Sequence, residues 1–213
     1  MAISNLITFI IPSIGRSTLI NSVQCLKNQT NPNWKAIIAF DGISPTIEND
    51  DPRITIMKTK KLGQGNNSAG LVRNKAIEYA TSEWVAFLDD DDSISPDYVE
   101  TFINEIGTYC PDVLIFRFMF SNNVCIVPHL DLTRAPGFGE VGISFAMKKR
   151  VFNDGCIFVS SSCEDYNLIH QIISRNFKVM ISPYVKYFAR YDNTVYDNSG
   201  TRIFINMEDI TKI

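Results

Sequence analysis

Long apolar runs are missing from this 213-residue sequence. None approaches the roughly 18 consecutive apolar residues that a membrane span requires, so a soluble chain is expected. The opening MAISNLITFIIPS has no basic n-region, and Pro12 breaks its apolar stretch, so it reads as a strand and not as a signal peptide. The five cysteines (Cys25, Cys110, Cys125, Cys156, Cys163) contain no CxxC pair, and an odd, scattered set argues against a disulfide framework and a thiolate-held zinc. Reduced thiols in a cytoplasmic compartment are expected. Charge of one sign is not in excess, with 20 Lys+Arg against 23 Asp+Glu and a formal net charge of −3. No basic patch stands out, which excludes nucleic acid as an expected partner. The only two histidines, His129 and His170, have no partner at metal-ligand spacing and are expected to be structural. Repeats, low-complexity segments and convincing linkers are also absent.

The composition, 45% apolar with 11% aromatic residues, is that of a globular chain. At about 150 residues per domain, one elaborated domain over 1–213 is expected in place of two. Leu6 to Ile11 is an apolar run ending at Pro12-Ser13-Ile14-Gly15, the pattern of a strand buried on both faces. Ser17 to Gln29 predicts a helix with Leu19, Ile20, Val23 and Leu26 on its apolar face, stopped by Asn31-Pro32. Strands are expected at Trp34 to Phe40 and Arg53 to Met57. A turn at Gly63 to Asn67 and an N-cap at Ser68 introduce a helix with Ala69, Val72, Ala76 and Ala80 on a narrow face. Glu83 to Leu88 is a further buried strand. Ser95-Pro96-Asp97 reads as N-cap, N1 proline and acidic first turn of a helix to Tyr109. The second half suggests strands at Val113 to Phe120, Val124 to Val127 and Ser144 to Met147, a turn or short helix at Lys149 to Asn153, a helix at Glu164 to Arg175, and two short strands within Lys178 to Tyr191. Such alternation predicts an α/β fold with a mostly parallel sheet flanked by helices.

In open α/β sheets ligands bind beyond the carboxyl ends of the strands. Three polar clusters fall there: Pro12 to Arg16, Asp41-Gly42, and the four aspartates Asp89 to Asp92. Four adjacent carboxylates repel one another unless a cation neutralises them, and hard oxygen ligands suit Mg²⁺ or Mn²⁺. A solvated acidic turn is the competing interpretation.

These clusters, in this order, resemble the GT-A fold nucleotide-sugar glycosyltransferases, particularly the family 2-like enzymes. Ile10 to Arg16 resembles their opening strand and P-T-x-x-R loop, Asp41-Gly42 their acidic turn, and Gly70 to Ala76 their A-R-N helix. Phe87 to Asp92 resembles the D-x-D segment and Glu164-Asp165 the later E-D pair. The resemblance spans residues 6 to about 175. It implies a Rossmann-like nucleotide-sugar-binding half over 1–110 and a smaller, mixed acceptor-side half over 111–213.

The resemblance also implies roles. Pro12, Ser13, Arg16 and Asp41 would bind the nucleoside, with Asp41 accepting from the base's ring N–H. Arg73 would reach the diphosphate, and Asp89 and Asp90 would face the nucleotide sugar. Asp91 with Asp89 would hold Mn²⁺ or Mg²⁺, with Asp92 standing behind them, and Asp165 would act as the catalytic base. The implied activity moves one sugar from a UDP-sugar, such as UDP-glucose or UDP-rhamnose, to a glycan acceptor. Phe40-Asp41-Gly42 carries one acid where family members often carry two, and no Q-x-x-R-W motif of the processive synthases is present. The opening I-P-S-I-G-R-S-T-L most resembles glycosyltransferase domains of large DNA viruses of algae, which implies capsid-glycan synthesis in a host cytoplasm. Two other classes stay open at this stage: a non-catalytic nucleotide-sugar or glycan-binding module, and a haloacid-dehalogenase-like phosphatase using Asp89 as its nucleophile.

Overall fold

The computed structural model describes residues 6–63, 69–120, 123–130, 135–189, 195–196 and 202–203. Strand β1 (Ile7–Ser13) is buried along its whole length. Its apolar run continues through Pro12, because β4 (Trp84–Phe87) partners β1 only over Ile7–Ile10 and the missing N–H interrupts no second ladder. Helix α1 (Leu19–Lys27) buries Leu19, Ser22, Val23 and Leu26. Ile20, expected on that face, is 64% exposed, and Ser22 takes the inward place because its Oγ donates to the Asp92 carbonyl at 2.8 Å.

Strands β2 (Trp34–Asp41) and β3 (Ile54–Thr59) extend the sheet away from β1. Helix α2 (Ala69–Ile77) then carries the chain back to β4 on the other side of β1. The expected turn beyond Gly63 and the Ser68 cap lie outside the described residues. β5 (Ser93–Ile94), which the sequence pattern did not suggest, precedes α3 (Tyr98–Tyr109). Ser95-Pro96-Asp97 is a turn before α3 and not its first turn. Asp97 stands at the N-cap without a side-chain cap bond, and the Val99 N–H donates to Gln29 Oε1 at 3.0 Å. Gln29 Nε2 in turn donates to the carbonyls of Ser95 and Cys25, so one buried amide ties the end of α1 to the start of α3.

The remaining elements are β6 (Val113–Phe120), β7 (Asn123–Val127), β8 (Phe145–Lys148), α4 (Lys149–Asn153), α5 (Glu164–Ser174), β9 (Val179–Ala189), and a separate antiparallel pair, β10 (Val195–Tyr196) with β11 (Arg202–Ile203). The main sheet has the order β3-β2-β1-β4-β8-β6-β9-β5, with β7 also on β6. β1 to β4 run parallel, β8 is antiparallel to both its neighbours, and the whole is mixed. The two short strands expected near the end form one: Ser182-Pro183-Tyr184 lie where the β6–β9 register shifts opposite Phe116, so a bulge absorbs the proline. Phe87 packs edge-on against Phe145 and Phe158, with centroids 5.1 Å away in each case, joining the first and second halves of the chain in one core.

The strand order reverses between β1 and β4. Ligand crevices open at the carboxyl ends of such a pair.

Candidate active site

A cleft of about 630 Å³ opens there. Pro12, Ser13, Arg16, Asp41, Arg73, Asp89, Asp90, Asp91 and Asp165 all line it, although they come from β1 and the loop after it, β2, α2, the loop after β4, and α5.

The four aspartates after β4 divide by direction. Asp90 turns into the wall, 3% exposed, where its oxygens accept from Ser13 Oγ at 2.7 Å and from an Arg16 guanidinium N–H at 2.8 Å. Ser13 Oγ also accepts the Gly15 N–H at 2.9 Å, so Asp90 fastens the loop after β1 across the switch point. Asp89, Asp91 and Asp92 each bring a carboxylate oxygen to within 4.8 Å of the others. Asp92, the buried member, lies in this cluster by proximity. Three carboxylates so close suit a hard divalent cation in donor type and spacing.

Arg73 is 2% exposed, and its guanidinium donates to Asp89 Oδ1 on one side and Glu164 Oε1 on the other. Burial alone would lower its pKa, but the two carboxylates outweigh it and the group stays charged. Each terminal nitrogen donates to one of these carboxylates, and the side chain lines the cleft. Glu164 also accepts the Gly70 N–H at 2.8 Å. A Cβ on Gly70 would lie 2.5 Å from Glu164 Oε2 and 2.7 Å from Phe158 Cβ, so only glycine lets α2 approach α5 this closely.

Asp165 follows Glu164 in the first turn of α5. Burial raises its pKa above the ordinary carboxylate range, against the opposing pulls of the Tyr166 N–H, which donates to Oδ1 at 2.7 Å, and of Arg73. His170, one turn on, binds the Pro136 carbonyl through Nε2 at 2.9 Å and stacks near Tyr166, which accounts for it structurally. His129 is exposed.

Asp41, at the end of β2, is 4% exposed and already holds protein donors. Leu62 N–H donates to Oδ1 at 2.6 Å; Gly63 N–H at 3.1 Å and Lys61 Nζ at 2.7 Å donate to Oδ2. Burial pushes its pKa up, but these bonds prevail and the net shift is downward. Gly42, at φ +76°, lets segment 61–63 lie against Asp41, since a Cβ there would meet Lys61 Cβ at 2.8 Å.

Lys61 and Tyr187 are lining residues that sequence reasoning did not find, and Glu164 was seen only as half of a motif. Tyr187 has no sequence signal at all. It reaches the aspartates from β9, 95 residues beyond Asp92.

A sequence profile described as Glycosyl transferase family 2 matches residues 8–166. EpsH of Bacillus subtilis (strain 168) is 40% identical over 88 residues, 40% of this chain and 25% of EpsH. The Escherichia coli UDP-Glc:alpha-D-GlcNAc-diphosphoundecaprenol beta-1,3-glucosyltransferase WfgD is 32% identical over 93 residues, 41% of this chain and 35% of WfgD. The crystal structure of Staphylococcus aureus TarS 1–349 superimposes with a TM-score of 0.68 at 17% identity, covering 88% of this chain and 61% of that one. TarS 1–349 in complex with UDP-GlcNAc does so with a TM-score of 0.68 at 16% identity, covering 86% and 58%. At such identities the likeness is one of fold. The matched segment spans only a quarter to about a third of the two relatives named here.

Proposed function

The chain belongs to glycosyl transferase family 2, and on that premise we propose that it transfers one sugar from a UDP-sugar to a hydroxyl of a glycan acceptor. The observation that carries this reading is the pair of hydrogen bonds that Arg73 donates, one to Asp89 and one to Glu164, which sets the acidic loop and the base candidate beside Glu164, Asp165, on one cleft. TarS in complex with UDP-GlcNAc and the UDP-Glc in the name of WfgD support a UDP-hexose donor, UDP-glucose among them. UDP-rhamnose is a second candidate donor. WfgD's lipid-linked acceptor supports a sugar hydroxyl on a lipid-linked or polymeric glycan.

In this reading Pro12, Ser13, Arg16 and Asp41 line the nucleoside end, and Asp41 builds its wall by holding segment 61–63 while facing the base. Asp90 secures that loop from below. Seven carboxylates and three cationic side chains line the cleft, so a diphosphate needs added positive charge to enter. Asp89, Asp91 and Asp92 would hold Mn²⁺ or Mg²⁺. A divalent cation bound there supplies neutralisation of the charge that builds on the departing diphosphate. Asp165 takes the acceptor hydroxyl's proton as its oxygen bonds to the anomeric carbon and the bond to UDP breaks, the electron pair leaving with UDP. Because the cleft draws on both 1–110 and 111–213, the two halves act as one unit. Among the described residues no helix is long and apolar enough to cross a membrane, and Cys25, Cys110, Cys156 and Cys163 are free thiols. The capsid-glycan setting rests on the opening motif alone; the relatives named above are bacterial and add nothing to it.

The test is UDP release from UDP-glucose and UDP-GlcNAc, with Mn²⁺, in the presence and absence of methyl N-acetyl-α-D-glucosaminide and other simple glycosides. Acceptor-stimulated release is expected. Tight donor binding without release on any acceptor would favour the non-catalytic binding module, and failure to bind any nucleotide sugar would reject both. Family membership leaves the phosphatase alternative without support.

A further inference from the structure

We propose that Tyr187 is a positioning residue of the cation site, holding Asp92 among the carboxylates so that three acidic side chains, in place of the two of a D-x-D motif, bind the metal. The inference rests on the cation reading above and adds to it how the third ligand is kept in place. Tyr187 is 1% exposed on β9. Its hydroxyl donates to Asp92 Oδ2 at 2.7 Å and accepts the Asp89 N–H at 3.2 Å, so one phenol touches both ends of the acidic loop. A buried phenol is stabilised by directing its O–H to a protein acceptor, and here that acceptor is a carboxylate.

The fold delivers it by a specific pairing. The two-residue strand β5 starts directly after Asp92 and runs antiparallel to β9, with Ile94 opposite Tyr187. This short strand has little core of its own to form; its pairing brings the acidic loop to the phenol. Ser22 holds the same residue through its backbone, Oγ to the Asp92 carbonyl at 2.8 Å. Asp90, in contrast, is turned away and bonded to Arg16, whose positive charge offsets its own. Tyr187 is an uncharged donor. Its bond orients Asp92 without adding a charge to the site, and outer donors of this kind commonly tune metal affinity by about 10–100-fold.

The test uses the full chain with UDP at fixed concentration and reads the Mn²⁺ concentration that gives half of the Mn²⁺-dependent rise in melting temperature. Tyr187→Phe keeps the ring and removes the hydroxyl; it should raise that concentration about tenfold or more. Asp92→Asn should raise it comparably, and the double variant should be little worse than Asp92→Asn alone, because the phenol acts through Asp92. A merely structural role would lower the melting temperature equally with and without Mn²⁺ and leave the half-maximal concentration unmoved. An unchanged value in Tyr187→Phe, or losses that add in the double variant, overturns the inference while the cation site stands. Should Tyr187→Phe fail to fold, an unchanged value in Asp92→Asn overturns it equally. A wild-type chain with no Mn²⁺ response removes the cation reading, and this inference with it.

Discussion

Asp165 sits where burial makes its ionised form costly, so it holds a proton to higher pH than a free aspartate near 3.9. A base works as the carboxylate. Turnover should therefore fall as pH drops through a midpoint above the ordinary aspartate value, and a pH–rate profile checks this. Asp165→Asn should cut transfer by roughly 10²–10⁴-fold while donor affinity holds. The stability consequence has the opposite sign. A folded-state pKa raised above the unfolded value gives stability that is present below the unfolded pKa and lost as pH rises through the folded one. Neutralising Asp165 should thus leave the melting temperature at neutral pH unchanged or higher while activity collapses; a matched fall in both would point to a structural acid. Arg73 behaves differently. Its removal strands Asp89 and Glu164 without their shared cation, and Arg73→Ala should cost about 3–5 kcal/mol in denaturant unfolding. Arg73→Lys should not restore it, since one ammonium cannot replace a fork that binds two carboxylates. Wild-type stability in the lysine variant would show that charge alone suffices.

Between elements, the contact of α2 with the start of α5 decides where Glu164 and Asp165 stand. Gly70 is the point of approach. In an isolated helix Gly70→Ala would gain up to about 1 kcal/mol from propensity. Here the added methyl meets Glu164 and Phe158, and overpacking of this kind costs about 1–3 kcal/mol. The variant should be less stable by chemical denaturation, and acceptor-dependent UDP release should fall with it as α5 is pushed from the cleft. A variant more stable than wild type would mean the helices part without cost. The loop after β7 is tied to the same helix through His170 and the Pro136 carbonyl, so α5 organises both the proposed base and one wall of the cleft.

Over the whole molecule the charge is near balance, at −3, yet the cleft concentrates seven carboxylates around three cations. A diphosphate is repelled from such a place until a metal enters with it. UDP-sugar should therefore raise the melting temperature far more with Mn²⁺ or Mg²⁺ than with EDTA, by the mass-action rule that a ligand of the native state stabilises it. Asp91→Asn should remove most of that difference. Equal stabilisation in EDTA would reject the metal assignment.

The sequence by itself determined the order of strands and helices from β1 to β4 and the place of the acidic loop. A strand buried on both faces reads as a continuous apolar run, as Trp84 to Leu88 does, and a polar cluster directly after it lies at the carboxyl end of the sheet. It also placed β6 and α5 to within about a residue, because an apolar run and a 3.6-residue apolar face are local signals, and it left 149–153 as a turn or short helix, where the structure has the short helix α4. What it could not contain was the direction of side chains toward partners far along the chain. Ile20 and Ser22 exchange the roles that hydropathy assigns them because the Asp92 carbonyl, 70 residues on, needs a donor. Gln29 caps a helix 70 residues away, and the start of α3 moves accordingly. Arg73 turned to Asp89 and Glu164, and Asp92 joined the triad under Tyr187, for the same reason. A buried polar group must be satisfied by whatever the fold brings within about 3 Å, and that neighbour is chosen by the packing of distant strands, which no local pattern encodes.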